Sequence, residues 1–193
     1  VGQVRPYGFD INVLQSFGNC PQYIQARTVE PAGFNPIPPE TESFNRFDTA
    51  AIEQITSADA LFIASAYRDS DTVTQGADAS HRGGKPGFVN VLDDRRFVFP
   101  DFRGNNAYNT IGNIVKNPKT GFLFIDFQTG DMLTMTGEAQ IIWDGPEVEA
   151  FEGAQRLVQF EAAEVRRIKG GFSHRSVFIE YAPQLARTGA WSD

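Results

Sequence analysis

A chain of 193 residues, 41% hydrophobic and 21% charged, with 17 phenylalanines, can form one large domain, or one domain and part of a second, around a sizeable core. Its net charge of -7 excludes a general nucleic-acid binder, which needs a basic face to release counterions from phosphates. Cys20 is the one cysteine and His81 and His174 are the two histidines, so an internal disulfide, a cysteine metal cage and a His-rich metal site are all excluded.

Nothing in the chain approaches the roughly 18 consecutive apolar residues of a membrane span. The start, Val1-Gly2-Gln3-Val4-Arg5-Pro6, has no apolar signal core. The expected setting is cytoplasmic, with neither membrane nor nucleic acid as partner. The chain does not start with Met, so it reads as processed, trimmed or a piece of something longer.

Residues 7–17 alternate weakly, with Phe9, Ile11 and Val13 opposite Asp10, Asn12 and Leu14, which predicts one strand. Residues 28–42 carry Pro31, Pro36, Pro38 and Pro39, a density that predicts no regular element. The main boundary is placed here, with an N-terminal strand and Pro-rich linker over 1–43 and the principal domain over 44–193. Asp48 is a good N-cap for a helix running to about Ser57, and Phe47 and Ile52 stand at staple spacing across it.

Residues 60–66 are a short apolar run, read as a buried strand, and 69–78 as a polar loop. Two strands, 87–92 and 96–99, flank a hairpin turn at Asp93-Asp94. A helix is expected over 105–115, closed by Asn117-Pro118. Strands follow at 122–127 and 132–143, the second with a bulge at Gly137. Pro146 opens a helix to about 156, and a last strand covers 157–168 before Gly170-Gly171. Six strands with hairpin connections predict an antiparallel barrel with helices at its mouths, a mainly β member of the α+β class.

Glycines, cations and amides concentrate in two places. Arg103-Gly104-Asn105-Asn106 lies between a strand end and a helix start, where free N–H groups and a bidentate guanidinium suit a phosphate. A plain loop with Asn as N-cap explains the same residues. Ser80-His81-Arg82-Gly83-Gly84-Lys85 adds two cations and two flexible joints, or is a solvated loop. Neither stretch is a Walker A or GxGxxG motif. Cys20 reads better as packing than as a nucleophile. Neither histidine has an evident catalytic partner set.

The segments Ser-His-Arg-Gly-Gly-Lys-Pro-Gly-Phe-Val (80–89), Phe-Pro-Asp-Phe-Arg-Gly-Asn-Asn (99–106), Asn-Thr-Ile-Gly-Asn (109–113), Gly-Phe-Leu-Phe-Ile-Asp-Phe (121–127) and Leu-Ala-Arg-Thr-Gly-Ala-Trp (185–191) carry a family resemblance. Through them the chain resembles the pyridoxamine 5′-phosphate oxidase-like, FMN-binding split-barrel superfamily, and more narrowly its predicted flavin-nucleotide-binding branch. The resemblance implies a six-stranded antiparallel split β-barrel with short flanking helices, holding FMN. It implies a flavin along Lys85, Gly87, Phe88, Val89 and Asn90, approached by Ser80, His81 and Arg82. Pro100 and Asp101 would lie near the ring, Arg103, Asn105 and Asn106 at the phosphate, and Met132 and Leu133 on the bordering strand.

It also implies a homodimer with flavin between two barrels. Asn19, Cys20 and Tyr23 would then face a partner's flavin, with residues 1–27 the last strand of a preceding half-barrel; ordinary interface packing is the plainer alternative. The oxidase's Arg-Lys pair at the helix start is replaced here by amides, and its substrate-binding set has no counterpart. The implied function is an FMN-dependent oxidoreductase of unassigned substrate and redox partner. A non-catalytic flavin binder or sensor, or an interaction module that has lost its cofactor, are the alternatives.

Overall fold

The computed structural model describes residues 3–13, 15–33, 38–69 and 75–191. Its strands are β1 (Val4–Arg5), β2 (Gly8–Phe9), β3 (Ala26–Pro31), β4 (Thr41–Phe44), β5 (Ala60–Tyr67), β6 (Gly76–Gly83), β7 (Asn90–Val91), β8 (Arg96–Phe102), β9 (Lys119–Ile125), β10 (Met132–Ile142), β11 (Ala154–Ile168) and β12 (His174–Glu180). Helices α1 (Thr49–Ser57), α2 (Asn109–Lys116) and α3 (Pro146–Glu149) and a 3-10 turn, Pro183–Arg187, complete the described elements.

The main sheet is antiparallel and runs β6-β5-β9-β10-β11-β8-β7, with β4 on the second half of β11. Six of its strands are long, and the sheet rolls around one core without closing, the architecture of a split barrel. Phenylalanines from strands far apart on the path meet inside. The Phe97 ring centroid lies 5.2 Å from Phe122, 5.7 Å from Phe124 and 5.1 Å from Phe160. Ala51 and Ile55 of α1 and Ile111 and Ile114 of α2 join the same core. Each fully buried side chain of this size contributes about 2–3 kcal/mol.

The local signals act as expected where they are strong. Asp48 Oδ1 accepts from the Ala51 N–H at 2.8 Å, and buried Phe47 and half-buried Ile52 both pack on the core. Asp93 Oδ1 accepts from the N–H groups of Arg95 and Arg96 at 2.9 and 2.8 Å, closing the β7–β8 hairpin. The β10–β11 register shifts between Thr136 and Gly137, where an added Cβ would lie 2.0 Å from the Glu161 carbonyl oxygen.

Other expectations need correction. The single strand over 7–17 is replaced by the short β1–β2 hairpin and irregular chain, with Ile11 and Val13 exposed; Leu14 lies outside the described residues. The Pro-rich stretch contains β3, paired with β12, and β4, paired with β11. Pro31 ends β3 and Pro38 and Pro39 precede β4, places where a missing N–H costs no central ladder bond; Pro36 lies outside the described residues.

Gly76, Ala77 and Asp78, expected in the loop over 69–78, belong to β6, while 70–74 lie outside the described residues; the strand over 87–92 shrinks to β7. Helix α2 starts at Asn109, after a loop in which Asn106 and Tyr108 take left-handed φ values of 60° and 55°. The helix at Pro146 is one turn, and β11 takes the residues from Ala154 onward.

Candidate active cleft at the barrel seam

Strand β6 is an edge whose pattern is reversed. Arg82, Ser80 and Asp78 pair with Leu61, Ile63 and Ser65, all buried on the inner face of β5. Paired residues share a face, so β6 turns a polar row inward and Ala77, Ala79 and His81 outward. The row spans roughly 13 Å at about 3.3 Å per residue. Buried Asp78 accepts through Oδ2 from Ser80 Oγ at 2.9 Å and from Thr110 Oγ1 of α2 at 2.5 Å. Its other oxygen, Oδ1, is buried with no hydrogen-bond partner among the described residues.

At the other end of the row, Arg82 reaches across the seam to the end of β8. Its Nε lies 3.4 Å from Asp101 Oδ1, and Nη1 of Arg156, on β11, lies 3.2 Å from Asp101 Oδ2. Arg156 in turn lies 5.0 Å from the Tyr108 ring and 5.7 Å from Trp143. Two guanidinium groups against one carboxylate leave one positive charge in surplus. Burial pushes the Asp101 carboxyl up, opposed by both arginines.

Next to this triplet, α2 begins without a side-chain cap, so its first-turn N–H groups are open. The loop before it is held internally: Asn105 Oδ1 accepts from the Ala107 N–H at 3.0 Å, and Tyr108 OH donates to Asn106 Oδ1 at 3.2 Å. The His81 ring packs edge-on to Phe62 at 5.6 Å, and burial, aided by Arg82, lowers its pKa from 6.5 to about 4. The imidazole is neutral at physiological pH.

The N-terminal segment of the same chain crosses this place. Asn19 Nδ2 donates to the Ala79 carbonyl on β6 at 2.9 Å, and Tyr23 OH donates to the Arg103 carbonyl at 3.1 Å. The Tyr23 ring stacks on Phe102 at 5.0 Å, and burial raises its phenol pKa. These groups leave a cleft of about 100 Å³.

Ser80, His81, Arg82, Pro100, Asp101, Asn105, Asn106, Asn19, Cys20 and Tyr23 all line this cleft, brought together from four separate stretches. The segment carrying Asn19, Cys20 and Tyr23 lies in cis. Other expected residues are placed elsewhere. Lys85 and Gly87 are exposed beyond β6, and Phe88 and Val89 are in the core, with the Phe88 carbonyl accepting from Trp191 Nε1 at 2.9 Å. Asn90 begins β7, Leu133 is wholly buried in the core, and Met132 packs toward Gly171. Arg103 is exposed, and only its backbone carbonyl is engaged by Tyr23.

Asp78, Thr110, Tyr108 and Arg156 were not foreseen. The i, i+2, i+4 spacing of Asp78, Ser80 and Arg82 was the available signal. Nothing local pointed to Arg156, which lies 55 residues from its partner. Among the described residues no group of three or more His, Cys, Asp or Glu is gathered as a metal site, and no helix is long and apolar enough to cross a membrane.

A comparison with curated proteins found no match. Among solved structures, a variant of HupZ from Group A Streptococcus is similar over 62% of this chain and 98% of its own, with TM-score 0.48 and 14% identity. A Clostridium acetobutylicum protein related to general stress protein 26 of B. subtilis, of the pyridoxinephosphate oxidase family, covers 67% of this chain and 92% of its own, with TM-score 0.45 and 12% identity. An FAD binding protein from Mycobacterium smegmatis covers 67% and 98%, with TM-score 0.41 and 13% identity. The family model for pyridoxamine 5'-phosphate oxidase matches residues 47–184, more than half of the sequence, and the chain belongs to that family.

Proposed function

We propose that the seam cleft binds FMN and that the protein is a flavoprotein of oxidoreductase type. The observation that carries this is the half-buried Arg82, held against Asp101 beside the uncapped start of α2, with Arg156 supplying the surplus positive charge. That donor set fits a phosphate monoester. Arg82 would grip the anion, Asp101 would orient the guanidinium, and the first-turn N–H groups of α2 would complete the cradle. A bound flavin supplies hydride and electron transfer, and the protein supplies position and field.

The carrying unit would be residues 44–193, with residues 1–43 wrapping it. The proposal includes a homodimer, supported by an apolar groove on the outer sheet face floored by Ala64, Ala66, Ala79 and Gly121, small residues that allow close approach of a second sheet.

A second reading, a flavin binder without turnover, draws support from the titratable groups of the cleft. The Asp101 carboxyl is engaged by two arginines, and burial leaves the His81 imidazole deprotonated and weakly basic, so neither offers a proton donor at neutral pH.

The visible spectrum of the purified protein and its thermal stability with added FMN test the proposal. Flavin absorbance and a higher Tm are expected, and Arg82→Gln should weaken FMN binding by about 10- to 100-fold, the range for one charge-assisted contact. No flavin absorbance together with no gain in Tm would overturn it. Reduction of the bound flavin by NAD(P)H separates an oxidoreductase from a passive binder.

A further inference from the structure

We infer that residues 18–23 form a strap that closes the cleft from within the same chain, and that a flavin-sized ligand binds only when the strap is displaced. The inference rests on the flavin proposal for the identity of the ligand, but not for the motion. Its first support is size. The closed cleft measures about 100 Å³, against roughly 300–1,000 Å³ for sites that hold molecules of cofactor size. The closed form has room for a phosphate and not for a tricyclic ring.

The second support is the contrast between the strap and its anchor. Beyond Tyr23 the chain is fixed. Gln25 is 5% exposed, its Nε2 donates to the carbonyls of Asp59 at 2.8 Å and Gly84 at 3.2 Å, and its Oε1 accepts from the Ala182 N–H at 3.2 Å. Arg27 follows with two contacts to Asp59, at 2.7 and 2.5 Å.

The strap itself is held by two exposed hydrogen bonds, from Asn19 and Tyr23, and by the stack of the half-buried Tyr23 ring on Phe102. Tyr23 joins the two parts with φ of 63°, a left-handed conformation that a bulky side chain adopts at a cost. Opening releases that strain, while Gln25 keeps the hinge in place. At the far end a Cβ added at Gly18 would meet no atom of the described residues within 4 Å.

The geometry supplies its own lock. A Cβ built on Gly104, at the end of β8, would lie 4.0 Å from Cys20 Cβ and 3.6 Å from its Sγ. Disulfides need a Cβ–Cβ distance of about 3.5–4.5 Å. The Gly104→Cys variant, oxidised with a small disulfide reagent, should therefore tie the strap shut across the cleft. Oxidised Gly104→Cys is expected to bind FMN at least about tenfold more weakly than the same protein after reduction, and the Cys20→Ser/Gly104→Cys variant should show no redox dependence.

Equal affinity in the oxidised and reduced forms would overturn the strap while leaving flavin binding intact, and would direct the ring to the groove along Tyr67, Tyr108 and Lys116.

A flavin-free measurement keeps the strap testable by itself. Asn19→Ala removes one of its hydrogen bonds, and labelling of Cys20 by a thiol reagent should accelerate by about 2- to 10-fold, the equivalent of one net hydrogen bond. An unchanged labelling rate overturns the strap. Accelerated labelling in a protein that binds no FMN in any form supports the strap and overturns the flavin proposal.

Discussion

Strands β8 and β6 face each other across the same seam and are built from opposite materials. β8 turns Phe97 and Phe99, both fully buried, toward the interior, where they meet aromatic rings from β9 and β11. β6 turns Asp78, Ser80 and Arg82 to the same interior. Apolar burial on β8 needs no partner beyond close packing. Polar burial on β6 is tolerable only where each group finds a hydrogen bond, and among the described residues the seam leaves Asp78 Oδ1 and Arg156 Nε without one. One side of the barrel is therefore built for close apolar packing, and the other presents polar groups to the seam.

The largest effect expected to test this contrast is at Phe97. Phe97→Ala should lower the unfolding free energy by about 3–5 kcal/mol, measured by denaturant titration, through lost burial and the cavity left behind. FMN affinity of the folded fraction should be unchanged. A large loss of affinity at constant stability would break the division between core and seam.

The next is a pH effect at His81. Its folded pKa is about 4 against an ordinary 6.5, so the unfolded chain takes up the proton first. The resulting stabilisation is complete above pH 6.5 and is lost as pH falls from 6.5 toward 4, by up to about 3 kcal/mol. The difference in stability between wild type and His81→Gln should follow that window. A difference that stays constant with pH would mean that the imidazole is not desolvated.

The smallest is at Ser80. Ser80→Ala removes one donor to Asp78 Oδ2 and leaves Thr110 in place, so a loss of about 1 kcal/mol is expected in the same titration. No loss would mean that the polar row is not cooperative.

Elements with a local cause were legible in the sequence. The Asp48 cap, the Asp93-Asp94 turn, the Gly137 bulge and the stop at Asn117 each depend on residues within a few positions of one another. Strand β6 was not, because its inward residues are polar and an alternation rule reads them as solvent-facing. β3 and β4 were hidden by the prolines around them. Of the expected site, residues 80–82, 100–101 and 105–106 line the cleft, while 85–90 lie beyond β6 and in the core.

The sequence by itself determined the family, the antiparallel class and the chemistry available for an anion, because these rest on composition, local turn signals and motif identity. Only the tertiary structure decided which residues share the cleft. Arg82, Asp101 and Arg156 come from β6, β8 and β11, and Asn19 and Tyr23 arrive from a segment read as belonging to another half-barrel. The physical reason is the seam. A sheet that rolls without closing brings β6, at one end of its path, against the end of β8, next to the other, and the groups that meet there are set by the roll of the barrel rather than by spacing along the chain.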